Sequence, residues 1–560
     1  MDNSQIADCF TLLAKLTDIH GENSFKAKSY SSAAFTIDKL PIQLSETPKE
    51  NLFSIKGMGE STGKKVIELL ETGELKILNE LIEKTPEGIL EMLTIKGIGP
   101  KKIATIWKEM EIETVGELLY ACKENRLKLY KGFGEKTQQN VIETIEFYLK
   151  SKGSFLFAQI ELLTPSIKTF FEKIFSPKKI EFTGAFKRHL EIVEELEIII
   201  SDSIDNIENK LSAVEDFELL QKNENNLLYK SSLGPKLRIH YCDEKYFIKD
   251  VFTKGCSLEF LAAFTTAFPL IDYTACKSED AIFTQAQLNF IPEFLRETAA
   301  VILQAKESPL PAVIQAEDIK SIIHSHSDWS DGSNTVEVMA RAAIEKGFEY
   351  IVISDHSKSA FYAKGLFEDR IKEQHLYIDE LNSKLAPFKI FKSIECDILN
   401  DGSLDYSDAI LSTFDLVIAS VHSNLKMTEE KAMMRLMNAI QNPYTTILGH
   451  MTGRLLLSRK GYPVDYKKII DACAANNVVI ELNAHPSRLD IDWRHIDYAL
   501  KRNVLISIDP DAHSTAGFDD IRYGVLAAQK AMVTKEQNLS SFGLKEFEDF
   551  LQKRRNTRNA

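Results

Sequence analysis

From Ile319 onward the chain alternates short apolar runs with helix-spaced stretches, and this alternation limits the possible folds more than any other feature. The runs are Ser321–Ile323, Tyr350–Ile353, Phe391–Ile394, Leu416–Ala419, Thr446–Leu448, Val478–Leu482 and Leu505–Ile508. Stretches with helical spacing, such as Val336–Lys346 and Ala432–Gln441, lie between them. Seven strand–helix units predict an α/β domain, a distorted (β/α)7 barrel of parallel strands close to the (β/α)8 plan.

Most of these runs end in a residue that can bind a metal. His324 and His326 follow Ile322-Ile323, one residue apart, and the spacing predicts that they share one face of a strand. Asp331 follows on a turn held by Gly332. His356 comes after Ser354-Asp355, Glu395 after Ile394, His422 after Ser420-Val421, His450 after Leu448-Gly449, and Asp511 and His513 after Asp509-Pro510. Strand C-termini in a parallel barrel share one rim, so these nine side chains are expected to meet. A single histidine there would read as a hydrogen-bonded residue near a barrel end. Six of the chain's twelve histidines at strand ends do not. Nine ligands imply two or three divalent ions, of the Zn, Mn or Fe type rather than Mg or Ca. Such a cluster suits phosphoester hydrolysis. Asp355 and Asp509 read as groups that orient ligands or as helix caps. Arg454, Arg459 and Lys460 read as substrate-phosphate ligands or as solvated surface charge.

The first 150 residues follow a helical pattern, with Ala7–Asp18 and Tyr30–Leu40 at helical spacing. Gly57-Met58-Gly59 then joins a helix end to a second helix carrying Lys64 and Lys65. The same grammar recurs at Gly97-Ile98-Gly99, before Lys101 and Lys102, and at Gly132-Phe133-Gly134, before Lys136. One Gly-x-Gly turn is weak, whereas three at intervals of about forty residues are strong. They predict helix-hairpin-helix motifs that grip a DNA backbone without reading sequence. A helical repeat that packs only on itself is the alternative.

Residues 151–312 change to an α+β pattern, with strands expected at Lys179–Phe182, Ile192–Ile200 and Leu237–Tyr241. The basic stretch Lys553–Arg558 is expected to fray. A formal net charge of −14 makes the chain a poor non-specific nucleic-acid binder, so DNA contact is left to local patches and backbone amides. Seven scattered cysteines, no secretory N-terminus and no apolar run of about 18 residues predict a cytoplasmic protein with no membrane segment.

Taken in order, the C-terminal motifs resemble the PHP (polymerase and histidinol phosphatase) domain. They are His324-Ser325-His326-Ser327 with Asp331-Gly332, Ser354-Asp355-His356-Ser357, Glu395-Cys396-Asp397-Ile398, Val421-His422-Ser423, Gly449-His450-Met451-Thr452-Gly453-Arg454 and Asp511-Ala512-His513-Ser514. The N-terminal 310 residues resemble the core of a family X, polymerase β-like DNA polymerase. The whole chain thus resembles the bacterial family X polymerases that carry a PHP domain. The resemblance implies a lyase-like helical domain with the first hairpin at 1–80 and a fingers-like hairpin region at 81–150. It further implies a palm and thumb at 151–312 and a PHP domain at 319–560. It assigns the nine residues above to the family's ligand positions, with Mn ahead of Zn or Fe; of the rim residues, Asp331 and Arg454 are the ones read as catalytic. Lys65 falls near the family's Schiff-base lysine for 5′-deoxyribose-phosphate removal.

The palm departs from the family pattern. Gly-Ser reads Gly184-Ala185, the paired Asp positions read Glu195 and Glu197, and the third Asp falls at Lys236. Glutamate reaches about an ångström or more further than aspartate, and misplacement on that scale can cost roughly 100-fold. Lys236 puts a cation where Mg would need a carboxylate, and the two glutamates are expected to neutralise it. The chain is therefore read as a DNA-repair 3′-5′ exonuclease, with abasic-site endonuclease or 3′-phosphatase activity, whose palm has lost dNTP and Mg binding. Its expected partner is gapped, nicked or 3′-ended DNA. The alternatives are a bifunctional gap-filling polymerase and a non-catalytic DNA-end scaffold.

Overall fold

The computed structural model describes the chain except Asn23, Pro41, Lys56, Gly57, Lys96, Ser151, Lys152, Ser232, Leu233 and Ala560. The chain divides into two compact units. One comprises Met1–Lys123 and Leu127–Tyr148, the other Glu124–Arg126 and Leu149–Ala560.

The first unit is helical. Helix Asn3–His20 begins at Asp2, whose carboxylate accepts the Gln5 N–H while the Gln5 side chain accepts the Asp2 N–H. It ends at Gly21, in the left-handed region at φ +71°. Its buried stripe of Ile6, Phe10, Leu13 and Leu16 includes Phe10, which packs on Tyr30 of helix Ser24–Asp38. Each such side chain stabilises the fold by about 1.5–3 kcal/mol.

The hairpins join Lys49–Leu52 to Glu60–Thr72, Glu87–Met92 to Pro100–Lys108, and Leu127–Leu129 to Glu135–Lys150. The third opens with one 3-10 turn instead of an apolar helix end. Gly97 and Gly132 both sit at φ +93°, where a side chain would strain the backbone; Gly57 lies outside the described residues. Between the glycines Met58, Ile98 and Phe133 are buried, which plugs each turn into the core. Gly59, Gly99 and Gly134 are exposed, and each accepts the first N–H bond of the following helix. Lys64, Lys101 and Lys136 are exposed beside them.

In the second unit, β1 (Phe155–Leu156) pairs with β3 (Ile192–Val193). A separate five-stranded sheet holds β2 (Ile180–Thr183), β4 (Glu195–Ile200), β5 (Phe217–Lys222), β6 (Asn226–Ser231) and β7 (Lys236–Tyr241), in the order β2-β4-β7-β6-β5. The single strand expected over Ile192–Ile200 is therefore two short ones. Strand β4 pairs parallel with β7 in a register that sets Glu195 opposite Lys236 and Glu197 opposite Arg238.

The seven barrel strands are β8 (Ser321–Ser325), β9 (Tyr350–Ile353), β10 (Lys389–Asp397), β11 (Leu416–Ser420), β12 (Thr445–Leu448), β13 (Val479–Asn483) and β14 (Ile506–Asp509). They pair in chain order, all parallel, into a nearly closed barrel. A bridge between Ser325 and Ala512 links the two ends just beyond β8 and β14. Alternate strand residues serve two cores, as strands covered on both faces require. Ile322, Ile351, Ile390 and Ile480 meet the outer helices. Ile323, Val352, Phe391, Ile418, Ile447 and Val479 fill the interior with Phe547 and Leu551. These last two belong to helix Leu544–Asn559, so the basic C-terminal stretch is helical rather than frayed. Phe547 and Leu551 anchor one face of that helix, while Arg554 donates to the Asn477 and Thr445 carbonyls. Among the described residues no helix is long and apolar enough to cross a membrane.

Candidate metal centre

The C-terminal ends of the strands carry the interior from apolar to polar. On β10, Phe391 points into the interior, and Glu395 follows four residues later in the same phase. On β13, Val479 points inward and Glu481 follows two residues later. His324 breaks the phase of β8: the register shifts between Ile322 and Ser325, and His324 adopts φ +59°. The two histidines thus share a side through a bulge, not through regular strand alternation as their spacing predicts. Asp511 mirrors His324 at φ +53°, and backbone bonds join Ala512 N to His324 O and His326 N to Ala512 O. Left-handed backbone at non-glycine residues costs on the order of 1 kcal/mol or more each, and both positions carry cluster side chains.

All nine expected side chains come together and are buried or nearly so. Glu395 stands at the centre. Its carboxylate lies 3.3 Å from His324 Nε2, 2.9 Å from His356 Nδ1, 3.0 Å from His422 Nε2 and 3.0 Å from His450 Nε2. Asp511 Oδ1 is 3.1 Å from His326 Nε2 and 3.4 Å from His324 Nε2. Asp331 is 3.5 Å from His356 Nε2 and 3.4 Å from His513 Nε2. Three groups have ligand atoms close enough for one ion each: His326, Asp331, His356 and His513; His324, His326 and Asp511; and His356, Glu395 and His422.

The donor set fits divalent ions. Among the described residues, buried His324 Nε2, His326 Nδ1, both His356 nitrogens, His513 Nε2, Asp331 Oδ2 and Glu395 Oε2 are close to one another yet make no hydrogen bond of acceptable angle. Buried polar atoms are normally satisfied, so a concentration of seven such atoms in one place has a metal-binding explanation. Burial alone would raise the Glu395 and Asp331 carboxyls. The surrounding imidazoles (His422, His324 and His356 for Glu395, His356 and His513 for Asp331) hold both well below the usual range. Burial, with His513 and His356 beside it, pushes His326 down to about 3, so its ring is neutral.

Two orienting carboxylates, Glu481 and Asp397, were not singled out from the sequence; Asp355 and Asp509 were. Glu481 Oε2 accepts from His324 Nδ1 at 2.6 Å, and its other oxygen accepts from Asn483 Nδ2 at 2.8 Å. Asp397 Oδ1 accepts from His422 Nδ1 at 2.9 Å. Each bond leaves Nε2 of its histidine facing the cluster. Glu481 had one signal available, a carboxylate inside an otherwise apolar strand run. Asp355 accepts from Ser327 N, Ser327 Oγ, Ser330 Oγ and Gln374 Nε2, and so orders the turn that leads to Asp331. Asp509 accepts from Ser507, and burial beside Glu481 holds its carboxyl well above the usual range.

Arg454 has a different place from the one expected. Its Nε donates to the Arg488 carbonyl, one Nη to Asp492 at 2.7 Å and the other to the Leu489 carbonyl. Those bonds tie down the loop after β13, and it is Arg488 on that loop whose Nε lies 3.9 Å from Asp511 Oδ2.

In the palm-like sheet, Glu195 is held by both ends of the Arg238 guanidinium, at 2.5 and 3.0 Å. Glu197 meets His240 Nε2 at 2.8 Å. The glutamates thus engage Arg238 and His240, not Lys236 as the sequence suggests. A Cβ at Gly184, φ +68°, would lie 1.9 Å from Glu197 Oε1, so the longer side chain occupies the space that this glycine leaves. Ala185 follows it in the same short turn. In the other unit, Lys65 lies over the Tyr30 ring at 5.5 Å and donates to Ser61 Oγ; burial lowers its pKa.

Comparison with known proteins gives the class. Residues 1–75 match the helix-hairpin-helix domain, 89–146 the SAM-like helix-hairpin-helix tandem, and 323–485 the PHP domain. The chain thus joins helix-hairpin-helix domains and a mixed α/β region to a PHP domain, the arrangement it shares with family X polymerases of the PHP type. Over 99% of its length it is 29% identical to the "DNA polymerase/3'-5' exonuclease PolX" of Bacillus subtilis, all of which is covered. Over 29% of its length it is 29% identical to a "Probable phosphatase" of Caldanaerobacter subterraneus and 30% identical to one of Thermoanaerobacter sp.; it spans 60% and 62% of those proteins.

Proposed function

We propose that the chain is a divalent-metal phosphoesterase that shortens DNA from its 3′ end, and that its palm does not polymerise. The observation that carries this reading is the contrast between two carboxylate sites. At the barrel rim, six imidazoles and three carboxylates converge with ligand atoms left unsatisfied. In the palm, both glutamates are already engaged by Arg238 and His240. Recruiting Mg there would mean breaking a bidentate ion pair next to Lys236, on a face whose cations already match its carboxylates.

Two or three ions, Mn ahead of Zn or Fe, would be held by His324, His326, Asp331, His356, Glu395, His422, His450, Asp511 and His513. Bound ions would polarise phosphoryl oxygens and supply a hydroxide. Glu481 and Asp397 fix the tautomers of His324 and His422. The hairpins support sequence-independent DNA as the substrate, gapped, nicked or 3′-ended. Abasic-site cleavage and 3′-phosphate removal need the same groups.

The test is a gapped duplex with a 5′-labelled primer, in Mn, with and without dNTPs. The primer should shorten in both cases and never lengthen. His356→Ala and Glu395→Gln should each reduce shortening at least ~100-fold, the scale on which misplaced catalytic groups lose rate. No shortening by a sample with verified metal content would sink the phosphoesterase reading. A second reading, a bifunctional polymerase and exonuclease, is favoured by the end-to-end similarity to a relative whose name couples the two activities. It predicts extension that Glu195→Ala abolishes.

A further inference from the structure

The turn Glu124–Arg126 belongs to the same compact unit as the barrel. Asn125 adopts φ +58°, and the three successive side chains each meet the rim of the metal centre. The Glu124 carboxylate is 3.4 Å from His513 Nε2. Asn125 Nδ2 donates to Ser333 Oγ at 2.6 Å. Arg126 Nε lies 3.8 Å from Asp331 Oδ2, and its guanidinium sits over the Tyr362 ring at 5.0 Å. Glu124 also holds Arg126, with Oε2 3.4 Å from Nη2. A second guanidinium, Arg488, stands 3.9 Å from Asp511, on the loop that Arg454 ties down.

Two arginines therefore border carboxylates that belong to two different ligand groups. Both contacts are ion-pair distances, longer than the 2.7–2.9 Å of a charge-assisted hydrogen bond. With ions on Asp331 and Asp511, each guanidinium would face a cation across a carboxylate. That arrangement is electrostatically favourable when an anion lies between them. A guanidinium is the planar, multidentate donor that suits phosphate oxygens, and the Tyr362 ring fixes the plane of Arg126.

We propose that Arg126 and Arg488 form a two-sided clamp for the substrate phosphoryl group, with Arg126 reaching the site from outside the strand-end loops of the barrel. Glu124 is a positioning residue for Arg126. The proposal rests on the phosphoesterase reading for its substrate class.

Inorganic phosphate, titrated calorimetrically into the Mn-loaded full chain, tests the clamp without turnover. Arg126→Ala should weaken phosphate at least ~10-fold, the effect of losing a charged hydrogen bond. Metal content should not change, and Arg126→Lys should recover part of the affinity. Arg488→Ala should act in the same direction, but Arg126→Ala decides the matter if the more buried Arg488 variant does not fold. In the primer assay, Arg126→Ala should raise KM. Unaltered phosphate affinity in Arg126→Ala, or no phosphate binding by the wild-type chain, overturns the clamp. Arg126-dependent phosphate binding without any DNA shortening would keep the clamp and remove the nuclease reading. Shortening with an unaltered KM in Arg126→Ala does the reverse.

Discussion

His324 works as a metal ligand only if its Nε2 carries no proton and points inward, and Glu481 enforces both by accepting the proton of Nδ1. Glu481→Gln keeps the shape but replaces the carboxylate with an amide that also fits the opposite tautomer. Metal affinity should fall about 10–100-fold, as for other orienting groups around metal-bound histidine. Competition with a chelator measures it, and the thermal midpoint of the apo protein should move little. An unchanged affinity would show that His324 needs no such partner. The nine clustered side chains were legible in the sequence because histidine or a carboxylate at the end of an apolar run is chemically conspicuous. The orienting groups were legible only in part: Asp397 looks like any acidic residue, and Glu481, though conspicuous in an apolar run, has no assignable role until the partner histidine, 25 or 157 positions away, is known.

Elements buried on both faces are the easiest to read, and all seven barrel strands fell on short, mainly apolar runs. Elements buried on one narrow stripe are harder. Helix Leu544–Asn559 hides two anchors, Phe547 and Leu551, among charges, so its last residues looked like a free basic tail. The hairpins are a third case, legible through their glycines. Gly97 and Gly132 at φ +93° cannot accept a Cβ without strain, roughly 1–2 kcal/mol for an L-residue in left-handed backbone. Gly97→Val should distort the turn and weaken short-duplex binding by fluorescence anisotropy several-fold. Hydrolysis of a small diester such as bis(p-nitrophenyl) phosphate should stay at the wild-type rate. Equal DNA affinity would mean that the second hairpin does not touch DNA, while a loss on the small diester would mean that the change reaches the metal centre.

Within the larger unit, the polymerase-like region and the barrel are held by contacts that no local pattern announces. Arg494 pairs with Glu191 and Arg522 with Glu161, each across more than 300 positions. Lys530 is the most consequential. Its side chain is fully buried, and Nζ donates to the Arg188 and Phe294 carbonyls and to Glu297. Burial lowers its pKa from 10.5 to about 8, with Glu297 opposing the shift. The charged form is therefore disfavoured in the folded state. Between pH 8 and 10.5 the unfolded chain binds more protons than the folded one at this site, so stability from this group rises with pH across that window. Below pH 8 the penalty is fully present, on the order of 2–3 kcal/mol. Lys530→Met removes the charge and leaves Glu297 paired with Arg188 at 3.1 Å. The difference in unfolding free energy, wild type minus variant, should therefore increase by about that amount from pH 7.5 to 10. Subtracting the variant cancels the other lysines and tyrosines that titrate in the same range. A difference that stays flat would mean that the hydrogen bonds of Lys530 offset its burial and leave its folded-state pKa at the unfolded value.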